Sequence, residues 1–149
     1  MLPARIPRTL PPRQKRQRAG DDRNHLVFIR SLPCCVCAAL NQEQRYPTEA
    51  HHLMAAVDGL PRGKSRKNED RWALPVCVYH HRANVGGRHS LHGHGNDEAF
   101  LTEAGVEARG TCKALWSVFQ NKDPEDRYQA GLRIVERCKR VTRVEGEGR

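Results

Sequence analysis

Cysteine and histidine recur in this chain at spacings that suit metal ligands. Cys34 and Cys37, in CCVC, form a C-x-x-C unit, and Cys77 and His80, in CVYHH, form a C-x-x-H unit. Together they offer three thiolates and one imidazole, the donor set of a closed tetrahedral zinc site. Cys34, and not Cys35, has the spacing to Cys37 that such a knuckle uses. Zinc bound there would fold a loop-rich segment too poor in apolar residues to hold itself. Incidental buried thiols are the plainer reading, and the paired spacing favours zinc over it. Cys112 and Cys138 fall on helix faces and read as small core residues.

With His80 assigned to zinc, His81 is left over at the start of a predicted helix. His51 and His52, in EAHHL, are adjacent on a predicted strand, where successive side chains face opposite sides. Each pair can therefore divide its roles. A neutral imidazole accepts a proton from water near neutral pH, and a second imidazole can hold a divalent ion against a phosphate. That combination is what metal-assisted phosphodiester hydrolysis requires.

The elements that must position these groups follow from the rest of the chain. Its 149 residues can bury one modest core. The apolar run Leu26 to Ile29 reads as a short strand or a helix turn, residues 41–71 as loops around one short strand, and RWALPVCVYHHRAN as a strand that turns at Cys77 into a helix. NDEAFLTEAG has Asn96 as N-cap, acids in its first turn and Gly105 as its stop. Cys112, Leu115, Trp116 and Phe119 mark one amphipathic helix, and Asp123 before Pro124 starts another with Tyr128, Leu132 and Val135 inside.

The formal charge of +9 makes a polyanion the economical partner, nucleic acid ahead of a membrane surface. Residues 1–24 carry seven Lys or Arg against Asp21 and Asp22, a surplus of 7 − 2 = 5, and predict a disordered basic arm able to lie along phosphates. No stretch is long and apolar enough to span a bilayer, and the N-terminus does not read as a secretory signal, so the expectation is a cytoplasmic protein with reduced cysteines.

Taken in order, LPCCVC, EAHHL, DRWALPVC, HHRANVGGRHS and NDEAFLTEAGV resemble the HNH, or ββα-metal, nucleases of phage and prophage type, over residues 26–105. More distantly the chain is similar to the Ref-type, RecA-dependent nucleases. The resemblance implies an α+β fold with a zinc-braced ββα-metal core over 25–105, to which the reading of the chain adds C-terminal helices over 106–140 packed on it and a flexible tail over 141–149. It also implies metal-dependent hydrolysis of DNA in a bacterial host or phage-infected cell, leaving 5′ phosphate and 3′ hydroxyl ends, in recombination, processing or packaging, with a protein partner unspecified. By the family's motif His52 is the general base, His81 the metal ligand on the helix, and Cys34, Cys37, Cys77 and His80 the structural zinc ligands.

Two departures from the family pattern stand out. Trp72 occupies the position, five residues before Cys77, where many such motifs carry the asparagine that orients the base, so a backbone carbonyl is the expected partner of His52. The residue before the base, often Asp in the superfamily, is His51 here. The catalytic ion is expected on His51, His81 and His89, with His92 the alternative to His89 and His94 a solvated loop residue. Its identity among Mg2+, Mn2+, Ni2+ and Zn2+ is open, since imidazole suits transition ions and magnesium prefers oxygen. Lys64, Arg66, Lys67, Arg71 and Arg82 are candidate phosphate contacts, or equally a solvated charged loop. A zinc-knuckle nucleic-acid-binding module without catalysis uses the same cysteines; the surplus of histidines favours the enzyme.

Overall fold

The computed structural model describes residue 20, residues 22–55, residue 57 and residues 67–147, with side chains described to residue 138. Almost all of the predicted basic arm, together with Lys64 and Arg66, lies outside the described residues. The chain is α+β. A two-stranded antiparallel sheet pairs β1 (Thr48–His52) with β2 (Ala73–Cys77), His51 opposite Leu74 and His52 opposite Ala73. Every residue of β2 is buried, because helices pack over it from several sides.

The apolar run before CCVC is helical. Asp22 caps α1 (Arg23–Ser31) by accepting from His25 N at 3.0 Å, and His25, Leu26, Phe28 and Ile29 turn inward while Val27 is 60% exposed. Alternation would have buried Val27 with His25 and Ile29, so helical spacing decides the element. Cys34 ends the following loop and opens the short α2 (Cys35–Ala39), its sulfur accepting from Cys37 N.

After β2 the chain makes two single turns, α3 (Val78–His81) and α4 (Ala83–Gly86), and then α5 (Leu91–His94). α6 (Asp97–Ala104) begins at Asn96, which accepts from Ala99 N, and stops at Gly105 with φ +96°, the cap and stop that its sequence predicts.

On α7 (Ala108–Asn121), Cys112 and Leu115 are fully buried, and Trp116 and Phe119 pack on the His25 ring with centroids 4.9 Å away. α8 (Pro124–Glu147) continues through most of the segment expected to be a tail. Its inner face agrees with expectation at Val135, which is buried, in part at Leu132, which is half-buried, and not at Tyr128. Tyr128 is 42% exposed, and the buried stripe is Gly131, Ile134, Val135 and Cys138. A Cβ at Gly131 would stand 2.7 Å from Leu32 Cδ2, so α8 docks closely through a residue that a count of apolar side chains overlooks.

Candidate functional site

Four donors converge where α2, the end of β2 and α3 meet. Cys34, Cys37, Cys77 and His80 are all buried, and their ligand atoms lie within 4.8 Å of one another. Cys37 Sγ is 3.8 Å from Cys77 Sγ, and His80 Nδ1 is 3.8, 3.5 and 3.3 Å from the sulfurs of Cys34, Cys37 and Cys77. A tetrahedral zinc ion with Zn–S of ~2.3 Å and Zn–N of ~2.0–2.1 Å needs S···S edges of about 3.8 Å and S···N edges of about 3.5 Å. The cluster matches those edges and could hold a structural metal such as zinc.

Burial lowers the basicity of His80, but hydrogen bonds to Cys34 and Cys77 outweigh it and push its pKa up to about 9. Gln44 fastens the knuckle from outside, accepting from Cys34 N at 2.7 Å and donating to Tyr46 O and Thr48 Oγ1. Cys35 stands apart, wholly buried, with its thiol driven up by desolvation. Cys112 and Cys138 are core residues as expected.

A second convergence is made by His51, His81 and His92, whose ligand nitrogens also lie within 4.8 Å of one another. Ring centroids are 5.2 Å apart for His51 and His81, 5.8 Å for His51 and His92, and 4.9 Å for His81 and His92. The site opens from buried His51 through half-buried His81 to exposed His92. Two of the rings are held by carboxylates: His51 Nε2 lies 3.0 Å from Asp97 Oδ2, and His81 Nδ1 lies 2.6 Å from Glu49 Oε2. A nitrogen facing a carboxylate carries the proton, so the lone pairs fall on His51 Nδ1 and His81 Nε2. Burial pulls the His51 pKa down despite the opposing pull of Asp97, which keeps the ring neutral and able to ligate. Burial pushes Asp97 up, but bonds from His51 and Met54 N hold it below the usual carboxylate range.

The expected place of His89 is taken by His92. Gly86 and Gly87 do turn the chain back, since a Cβ on Gly86 would sit 1.9 Å from Tyr79 O and Gly87 has φ +56°. The turn delivers the next helix, however. Ser90 caps α5 by accepting from Gly93 N at 3.0 Å, Leu91 is buried as the anchor, and His92 beside it reaches the other two imidazoles. His89 lines a separate groove with Phe100 and Glu103.

His52 lies outside the cluster of three. The pleat turns it to the other face of β1, where its Nε2 is 2.7 Å from Asp70 Oδ1. Asp70 is 2% exposed and also accepts from Asp22 N at 2.7 Å, which ties the pair to the start of α1. A carboxylate, not the expected backbone carbonyl, therefore holds His52. Trp72 is a core residue, and the nearby asparagine is Asn68, whose amide donates to Leu53 O and Ala55 O and ties down the chain leaving β1.

Among the candidate phosphate contacts that are described, each has an acidic neighbour: Lys67 pairs with Asp70 at 3.6 Å, Arg71 with Glu69 at 2.9 Å, and Arg82 with Glu49. Asp70, Asp97, Glu49 and Asn68 were not singled out from the sequence. Lone acidic or amide residues distant along the chain carry no spacing signal, and only folding puts them against histidines and carbonyls. No helix among the described residues is long and apolar enough to cross a membrane. Compared with family models, curated proteins and solved structures, the chain matches none.

Proposed function

We propose that the protein is a metal-dependent endonuclease of the HNH, or ββα-metal, type that hydrolyses phosphodiester bonds in DNA. The observation that carries this reading is the convergence of His51, His81 and His92, two of them oriented by carboxylates, on a β-hairpin and helix braced by a Cys3His knuckle. A buried fold-stabilising zinc site accounts for His80 alone and leaves this second, solvent-open set without a structural purpose.

A divalent ion held by His51, His81 and His92 would supply Lewis-acid stabilisation of the charge that builds on the phosphoryl oxygens. Asp97 and Glu49 keep the two inner rings in the ligating tautomer. Asp70 keeps the His52 proton on Nε2, which leaves Nδ1 as the basic atom for accepting a proton from water. The His52 side chain is 17% exposed, so water reaches it. Among the basic residues, Arg82 combines an exposed side chain with a position next to His81 and is the natural first contact for a backbone phosphate. Phage or prophage origin and a role in recombination, processing or packaging belong to the same proposal and rest on the sequence resemblance.

A second reading, a zinc-knuckle nucleic-acid-binding module without catalysis, is favoured by one observation: His52 faces away from the three imidazoles. A nicking assay on supercoiled plasmid separates the two. Full-length protein should nick in the presence of Mg2+, Mn2+, Ni2+ or Zn2+, and His52→Ala should slow nicking by about 10²- to 10⁴-fold while keeping its zinc. Plasmid left intact with all four ions supports the binding module, and an unchanged rate in His52→Ala removes this residue as the base.

A further inference from the structure

Beside the zinc knuckle lies a groove of about 440 Å³, lined by Gln42, Arg45, Tyr46 and Tyr79 above a floor of Cys37, Cys77 and His80. Its floor is formed by three of the four knuckle ligands, and the histidine cluster takes no part in it. The Tyr46 and Tyr79 rings run nearly parallel, at 21° with centroids 5.9 Å apart, and Tyr79 meets the edge of His80 at 5.1 Å. Tyr46 is 43% exposed, an aromatic face left to solvent on a loop that Gln44 holds in place. Arg45 is exposed at the rim.

The chemistry of the lining selects one kind of guest. The floor presents sulfur, and Glu43 adds a carboxylate at the edge, so a phosphate is disfavoured inside. A flat, neutral ring meets no such penalty and gains by stacking on an exposed tyrosine, while Gln42 offers both a donor and an acceptor to its edge. Arg45 is placed for the phosphate that such a ring carries outside the groove.

We propose that this groove is a subsite for one unpaired nucleobase of a DNA strand, stacked on the exposed Tyr46, which Tyr79 backs, with its phosphate at Arg45. The inference deepens the nuclease reading and rests on it for the identity of the polymer. Tyr79 and His81 are two positions apart on α3, and so project to opposite sides of one helical turn. The separation of the groove from the histidine cluster is therefore about one helix width, ~10–12 Å, within reach of a short run of unpaired strand. The substrate class implied is DNA with single-stranded character a few nucleotides from the bond to be cut, such as a gap, flap or displaced strand.

The test is fluorescence-anisotropy titration of the zinc-loaded full-length protein with a labelled single strand, the same strand bearing one abasic position, and the matching duplex. Tyr46→Ala should weaken single-strand binding about 5- to 150-fold, the cost of losing one base stack, and leave duplex binding within about twofold. Tyr46→Trp should restore it. Tyr46 is on the surface, so zinc content and circular dichroism of both variants should match the parent. Equal losses on single strand and duplex, or no loss on either, would overturn the subsite. Plasmid nicking measured in parallel keeps the two ideas apart: base-dependent binding without nicking sinks the nuclease and leaves the subsite standing, and nicking with Tyr46-indifferent binding does the reverse.

Discussion

Asp97→Asn isolates what a carboxylate does for the histidine cluster. Oδ2 of Asp97 accepts from both His51 Nε2 at 3.0 Å and Met54 N at 2.7 Å, and Oδ1 accepts from Glu98 N at 2.9 Å. An asparagine has one acceptor oxygen. Its best orientation leaves that oxygen on His51 and Met54 and turns the NH2 toward Glu98 N–H, a donor facing a donor. The cost to stability is about 1–3 kcal/mol if the clash is fully buried, and the loss of a negative charge at the α6 N-terminus adds ~0.3–1 kcal/mol. The fold should survive that. With the charge gone, the influence that raises His51 is removed and the ring becomes a less basic, less firmly oriented ligand. Changes of this kind in an outer-shell carboxylate lower metal affinity about 10- to 100-fold, or ~1.4–2.7 kcal/mol. Isothermal titration of Ni2+ or Zn2+ into protein already carrying its structural zinc reads the difference directly. An Asp97→Asn variant that keeps one zinc, stays folded and binds the second ion as tightly as the parent would refute the argument that Asp97 tunes His51.

Three further outcomes are expected. Cys77→Ser should abolish the bound zinc seen by mass spectrometry and lower the melting temperature by circular dichroism, because structural zinc sites supply ~10–16 kcal/mol of apparent binding energy that is also folding energy; a variant folded at full zinc occupancy would show that the sulfur is no ligand. His92→Ala should weaken the second ion's binding by at least about tenfold and His89→Ala should not, with the reverse order in calorimetry overturning the cluster. His25, buried among Phe28, Trp116 and Phe119, has its pKa lowered by burial to about 4, Asp22 and Asp70 opposing. The unfolded chain takes up this proton below about pH 6.5 and the native one only near 4, so stability should be full above 6.5 and fall by up to ~3 kcal/mol as pH drops between those values; urea titrations of His25→Phe against the parent should show a difference that varies with pH over that window, and a constant difference would contradict it.

Much of the Cys3His cluster could be read in the chain because its members come as two local pairs. Cys34 with Cys37, and Cys77 with His80, are each set by a single turn of backbone, and local spacing survives whatever the rest of the fold does. The cap and stop of α6 are local in the same way. The alternation that separates His51 from His52 needs only a strand.

Tertiary structure decided what depends on approach between distant segments. Which histidine joins His51 and His81 turned on close approaches that only bare backbone tolerates, since a Cβ would stand 1.8 Å from Gly87 O at Gly93 and 1.9 Å from Tyr79 O at Gly86. The close docking of α8 was likewise set by Gly131 against Leu32, while Tyr128 stays largely exposed. Asp70 and Asp97 became partners of His52 and His51 across 18 and 46 residues of chain. Donor types and their local spacing are written along the chain; only the packed chain could choose partners, because a carboxylate is neutral in its preference until folding removes water and leaves an imidazole as the one group that can satisfy it.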